Sequence, residues 1–202
     1  MSDLFQGGKK IIQTLKQAGY EAYFVGGAVR DKFIGRPIND VDIATSATTA
    51  DVIRLFPKTI SVGAEHGTVM VKIGNNFYEV STFRCKENES PTIRTDLSCR
   101  DFTINALAMT EDGGLVDPFQ FKNDIDQKII RAVHSPHERF KEDPLRMLRA
   151  IRFVSQLGFT LEAKTKQTIS EMYGLLANVA KERITTEFEK ILLGREVRKA
   201  LL

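Results

Sequence analysis

Apolar positions recur at helical spacing in residues 8–19 (GKKIIQTLKQAG), where Ile11, Ile12, Leu15 and Ala18 share one side and Gly19 marks a stop. EAYFVGG then reads as a short buried strand ending in two glycines, and AVRDKFIG as a helical turn closed by Gly35. NDVDIATSA alternates Val41/Ile43 with Asp40/Asp42, which is a strand pattern. Residues 49–56 predict a helix capped by a threonine. GTVMVKIG and NFYEVSTFR predict two strands joined through Gly74-Asn75-Asn76, a hairpin signal. Residues 84–97 are polar, contain Pro91 and read as a loop, whereas CRDFTINALAM reads as helical. Leu115-Val116-Asp117-Pro118 closes that unit, and NDIDQKIIRAV forms a short segment ending near His134.

From about Ser135 the character changes. HERFKEDPLRMLRAIRFVSQLGF, LEAKTKQTISEMYGLL and KERITTEFEKILL predict three successive helices. A mixed α/β unit therefore precedes an all-α unit, with the boundary at 134–138. No internal repeat or low-complexity tract interrupts either.

Composition narrows the class. The 202 residues are 42% hydrophobic and 27% charged, as in an ordinary soluble globular protein, which argues against disorder and fibrous classes. No run approaches the ~18 apolar residues of a membrane span, and MSDLFQGGKKIIQTLKQAGY lacks the apolar core of a secretory signal. Cys85 and Cys99 fit neither a metal spacing nor a disulfide framework, so the expected compartment is the cytoplasm. The net charge of +3 permits a nucleic-acid partner without requiring one.

Four clusters carry candidate chemistry. Gly26-Gly27-Ala28-Val29-Arg30-Asp31 places a glycine pair between strand and helix, where backbone can approach a phosphate and Arg30 can add charge; a plain tight turn has the same pattern. Asp40 and Asp42, two apart on a strand, put carboxylates side by side. Like charges that close repel unless a cation separates them, and Mg²⁺ prefers such oxygen ligands; a solvated acidic edge is the alternative. Glu79, sharing a strand face with Phe77 and Ser81, is the candidate third carboxylate, or else a solvent-facing hairpin residue.

Arg100 and Asp101 open the predicted helix, with Asn105 four residues after Asp101 on the same face. Acid and amide can bond a ribose hydroxyl, and the arginine a phosphate; an acid favoured by the helix dipole is the plainer account. Finally, Arg146, Arg149 and Arg152 step by three beside an apolar stripe of Leu145, Leu148 and Ile151, behind Asp143 and Pro144. Such a face is either solvated or, being arginine rather than lysine, suited to phosphate and base contacts.

Taken together, GGAVRD, DVD, RDFTINALAM and EDPLRMLRAIRF resemble the tRNA nucleotidyltransferase/poly(A) polymerase family, in the polymerase-β-like nucleotidyltransferase superfamily, and within it the bacterial class II branch. The resemblance implies an α+β fold: a nucleotidyltransferase head of mixed β-sheet with helices (1–136), followed by an all-α neck (137–202). It also implies template-independent transfer of CMP or AMP from CTP or ATP to the tRNA 3′ end, with release of pyrophosphate.

By the same resemblance Asp40 and Asp42 hold the catalytic Mg²⁺, two ions being expected, with Glu79 as third carboxylate. Gly26, Gly27 and Arg30 meet the triphosphate. Arg100, Asp101 and Asn105 handle ribose and phosphates. Asp143 and Arg146 form the protein template that reads the base, supported by Arg149 and Arg152. NDIDQKIIRAV resembles the hinge between head and neck, and ERITTEFEKIL the later motif that braces the neck.

The template has an independent physical sense. Cytosine and adenine share an exocyclic amine where uracil and guanine carry a carbonyl. A carboxylate accepts from the amine and repels the carbonyl, and an adjacent arginine donates to the neighbouring ring acceptor. The wrong base leaves buried polar groups unpaired, which discriminates strongly.

Two departures from the family pattern matter. Residues 85–100 form a short stretch where enzymes adding the full CCA end have a longer loop, so the expectation is CC addition, with full CCA addition as the alternative. Cys99 stands where the family commonly has arginine. The chain also ends at Leu202, where family members continue into helical body and tail domains. A bacterial poly(A) polymerase is a rival, disfavoured by a template that accepts cytosine. A non-catalytic tRNA-end or nucleotide-binding module is another, disfavoured by the paired aspartates. No membrane or protein partner is expected.

Overall fold

The computed structural model describes residues 3–61, 67–84 and 89–202; Cys85 lies outside them. Backbone proximity divides the chain into two compact units. One takes in residues up to 100 and 105–120, the other 101–104 and 121–202.

The first unit is built on a mixed sheet. Among the described residues its strands are β1 (Ala22–Val25), β2 (Asp42–Thr45), β3 (Thr59–Ile60), β4 (Thr68–Ile73), β5 (Asn76–Thr82), β6 (Ala108–Met109) and β7 (Leu115–Val116), in the order β3-β4-β5-β2-β1-β6-β7. Only the β2–β5 pairing is parallel; the chain between them runs through α3 (Thr49–Leu55) and the β3–β4 edge. The predicted hairpin is β4–β5.

Helix α1 (Asp3–Gln17) starts earlier than the pattern predicted and buries Ile11, Ile12 and Leu15 completely. Two glycines let it lie close to the sheet. A Cβ on Gly7 would fall 2.0 Å from the Tyr78 hydroxyl, and one on Gly8 2.6 Å from the Phe24 ring. Phe5 meets Phe24 edge to face at 5.0 Å. Helix α2 (Gly27–Phe33) follows β1 directly, and α3 is closed at its start by a reciprocal Thr48–Asp51 capping box.

Two local expectations are overturned. The polar stretch read as a loop contains helix α4 (Ile93–Ser98), started by Thr92, whose hydroxyl accepts the Thr95 N–H. CRDFTINALAM is not a helix: it holds one 3-10 turn (Thr103–Asn105) and then β6. Phe102, Thr103, Ile104, Ala106 and Leu107 are all buried, so the run has no polar face to give water. Its backbone bonds to residues 131–133 instead: Thr103 N–H donates to Arg131 C=O, and Val133 N–H to Asp101 C=O.

The second unit contains α5 (Lys122–Asp126), α6 (Pro136–Glu142), α7 (Leu145–Leu157), α8 (Ala163–Met172), α9 (Lys181–Leu192) and α10 (Val197–Leu201). A parallel strand pair, β8 (Ile129–Ile130) and β9 (Thr160–Leu161), accompanies them. The helix predicted from His137 onwards is two. Asp143 is extended (φ −147°, ψ 102°), because the ring of Pro144 disfavours helical geometry in the residue before it. Helix α7 ends at Gly158 in the left-handed conformation (φ 70°). The last turn of α9 lies on α7: Ser155 Oγ donates to Ile191 C=O at 2.6 Å.

Candidate functional site

Asp42 is the first residue of β2, and its register partner on β5 is Glu79. Parallel pairing sets these carboxylates side by side on neighbouring strands. Asp40 is exposed just ahead of β2. Burial, then the charge of Glu79, then that of Asp40, push the Asp42 carboxyl up to about 7, against the opposing pull of Arg100 and Arg84. Three carboxylates whose mutual repulsion the nearby arginines relieve only in part suit a divalent cation. Among the described residues no three His, Cys, Asp or Glu side chains already close around a metal position.

Gly26 lies beside this cluster. It takes φ 72°, ψ −140° at the start of α2, and a Cβ there would sit 3.4 Å from both Asp42 Oδ2 and Arg100 Nη1. A Cβ on Gly27 would be 3.5 Å from Arg30 Nη2. Arg30 is buried. Its Nη1 donates to Asn105 Oδ1 at 2.6 Å, and Nε and Nη2 bond the Asp31 carboxylate at 2.9 and 3.0 Å. Gly26, Arg30, Asp42, Glu79, Arg100 and Asn105 thus all belong to the first unit.

Arg100 owes its position to Asp96, which the sequence reading passed over. Asp96 is fully buried on α4, and its Oδ2 accepts from Arg100 Nε and Nη2 at 2.9 and 2.8 Å. Its Oδ1 accepts the Arg84 N–H at 3.1 Å. The four-residue spacing of Asp96 and Arg100 was the available signal.

Asp101 belongs to the second unit. The helix face expected to carry both Asp101 and Asn105 does not form, because the intervening residues leave helical geometry. Asp101 Oδ1 accepts its neighbour's backbone N–H from Phe102 (2.8 Å), and Oδ2 accepts from Arg149 Nε and Nη2 at 2.8 and 2.6 Å. Burial works against the Arg149 charge, but the Asp101 carboxylate outweighs it and holds the guanidinium above its ordinary pKa.

The arginine stripe of α7 is matched by acids along its length. Arg146 Nη1 donates to Glu142 Oε2 at 2.8 Å and to Arg139 C=O at 3.2 Å, and the buried Arg139 also pairs with Glu142. Arg149 pairs with Asp101, and Arg152 meets the buried Glu187 of α9 at 2.8 Å. Arg152 also lies over the Phe153 ring, 4.5 Å from its centre. Asp143 sits at the α6–α7 break. Its Oδ1 accepts the Leu145 N–H at 3.1 Å and its Oδ2 accepts from Arg183 Nη2 of α9 at 3.0 Å. Arg183 and Glu187 fall within the ERITTEFEKIL stretch read as a brace of the neck, but the sequence did not name the residues they meet.

Residues 22–131 match the poly A polymerase head domain, and residues 158–202 the probable RNA and SrmB-binding site of polymerase A. The CCA-adding enzyme of Lactiplantibacillus plantarum is 50% identical over 202 residues, covering 95% of this chain and 50% of that protein. That of Bacillus subtilis is 50% identical over 212 positions, covering all of this chain and 53% of its own length. The chain spans about half the length of the curated relatives it matches. Among solved structures, the Bacillus stearothermophilus CCA-adding enzyme in complex with CTP superposes with TM-score 0.96 at 52% identity, over 100% of this chain and 51% of that one. A tRNA nucleotidyltransferase complexed with a primer tRNA and an incoming ATP analogue gives 0.76 at 31% identity, over 95% and 58%. With more than half its residues matching the head-domain model, the chain belongs to the tRNA nucleotidyltransferase/poly(A) polymerase family.

Proposed function

We propose that this chain carries the catalytic and base-reading parts of an enzyme that adds nucleotides to the tRNA 3′ end without a nucleic-acid template, in the cytoplasm. The observation that carries this reading is the pairing of Asp42 with Glu79, with Asp40 close enough to raise the Asp42 carboxyl. In the reaction the terminal ribose hydroxyl oxygen bonds the α-phosphorus of CTP or ATP. The bond from that phosphorus to the β-phosphate bridging oxygen breaks, pyrophosphate leaves, and the hydroxyl proton passes to solvent or a carboxylate. Asp40 and Asp42 are the residues to hold Mg²⁺, with Glu79 beside them. Bound there, divalent ions activate the attacking hydroxyl and stabilise the leaving pyrophosphate.

The chain's own residues do the rest. Gly26 and Gly27 admit a phosphate against the backbone, and Arg30 and Arg100, each fixed by a carboxylate, supply positive charge. Asn105, accepting from Arg30, and Asp101, held by Arg149, are the groups for ribose. Asp143 and Arg146 read the base, with Arg149 and Arg152 keeping α7 in place. The division of labour follows a head at 1–136 and a neck at 137–202.

The short segment 85–100 favours CC addition. Full CCA addition is the second reading, favoured by the name the relatives share.

The test is extension of a tRNA ending at its discriminator base, with Mg²⁺ and CTP, ATP or both, followed by sequencing of the 3′ ends. Ends stopping at CC with both nucleotides present support the short-loop reading; ends reaching CCA support the second. Asp40→Ala with Asp42→Ala abolishes incorporation while the protein stays folded. Retained incorporation sinks the metal assignment.

A further inference from the structure

Helix α9 delivers two ion pairs of opposite sense. Glu187 meets Arg152 and, one turn earlier on the same helix, Arg183 meets Asp143. The first pair is largely buried and binds α9 to α7. The second is more open, with the Arg183 side chain 55% exposed and that of Asp143 30% exposed, so it contributes little as a brace. What it does is orient. Asp143 stands outside helical geometry, and its carboxylate has two fixed points: the Leu145 N–H on Oδ1 and the Arg183 guanidinium on Oδ2. Without the second, the carboxylate turns about χ2 and offers its free lone pairs in no set direction.

We infer that Arg183 is a specificity-determining positioning residue, holding the Asp143 carboxylate at the angle that accepts the exocyclic amine of cytosine or adenine. This rests on the reading of Asp143 as the base-sensing acid. The carboxylate so held accepts from the amine of cytosine or adenine and offers the carbonyl of uracil or guanine no donor. Arg183 therefore acts on the choice between bases, whereas a brace acts on all nucleotides alike.

The experiment measures equilibrium binding of CTP and UTP with Mg²⁺ to the 202-residue chain, its Arg183→Ala, Arg183→Lys and Asp143→Ala variants, and the Arg183→Ala/Asp143→Ala double variant, with a thermal melt of each. The expected result is a CTP:UTP preference about ten-fold smaller in Arg183→Ala, the scale of one charge-assisted hydrogen bond. Arg183→Lys restores part of it, and Arg183→Ala adds nothing to Asp143→Ala. Equal weakening of CTP and UTP overturns the inference, since that is what a brace predicts. A lost preference in Asp143→Ala with a full one in Arg183→Ala overturns it while leaving Asp143 as the base reader. An unchanged preference in Asp143→Ala, or no preference in the unaltered chain, overturns both. Should Arg183→Ala not fold, Arg183→Lys carries the same comparison: a full preference with unaltered affinities counts against an orienting fork.

Discussion

Asp42 and Glu79 are register partners across β2 and β5, the parallel pairing in an otherwise antiparallel sheet. Parallel strands require a crossover connection. The intervening chain, through α3 and β4, is what brings acids far apart in sequence onto adjacent strands.

Their proximity sets a pH dependence. Because the Asp42 carboxyl is raised from 3.8 to about 7, the folded protein holds a proton the unfolded chain has released between those values. Without divalent metal, stability from this group is complete below about pH 4 and is lost as pH rises through about 7, by at most about 4 kcal/mol. Asp42→Asn cannot ionise. Its urea midpoint should match the parent at pH 4 and exceed it at pH 8, with EDTA present in both. Parallel pH profiles for the two proteins would contradict the burial and repulsion argument.

Asp96→Asn keeps an oxygen for the Arg84 N–H but leaves Arg100 buried without its counter-charge. Breaking a buried pair from one side costs about 3–5 kcal/mol. Denaturant unfolding should show that loss, and CTP binding should weaken with it. Asp96→Ala should be at least as damaging.

Gly7→Ala tests how closely α1 lies on the sheet. The new methyl would meet the Tyr78 hydroxyl and ring carbon at 2.0 and 2.7 Å, so α1 has to move. A loss of about 1–3 kcal/mol is expected from overpacking. Gly35→Ala tests something else: its surroundings are open, and only its φ of 70° penalises a side chain. It should cost about 1 kcal/mol. Thermal melts that rank the two the other way would refute the close approach.

Arg149→Lys removes the two-pronged contact with Asp101 and cannot rebuild it with a single ammonium. A destabilisation of about 1.5 kcal/mol is expected by chemical unfolding. If Lys is tolerated without loss, the pairing is electrostatic alone and its geometry is immaterial.

Much of this site was legible before any coordinates. Asp42 and Glu79 follow from strand alternation and are register partners, whereas Asp40, read onto the same strand, lies just ahead of β2. What alternation cannot supply is a partner across a crossover, so Glu79 could be named but not joined to Asp42. The segment 100–109 misled for a physical reason. Apolar residues on every side look like a buried helix, yet Thr103 and Ile104 are β-branched and their backbone found partners at 131–133. The α7 arginines looked like a row of open cations. Their acids, Asp101, Glu142 and Glu187, come from three different parts of the chain, and only Glu142 is near in sequence. Asp96 was missed, and Arg183 was named only as part of a bracing stretch, because each acts through another residue, and a sequence records positions without recording which side chains meet.

Asp96 has one more consequence. By gripping the Arg84 backbone with one oxygen and Arg100 with the other, it works as a clasp on the chain that runs between them. Chain inside a clasp is nearly free to change length, since doubling a loop adds only about 0.6 kcal/mol of closure entropy. Insertions and deletions ahead of the Thr92 cap of α4 can therefore be accommodated while the guanidinium beyond the clasp stays where it is. The length of that segment can drift by gain or loss of residues with the groups next to Asp42 held in place.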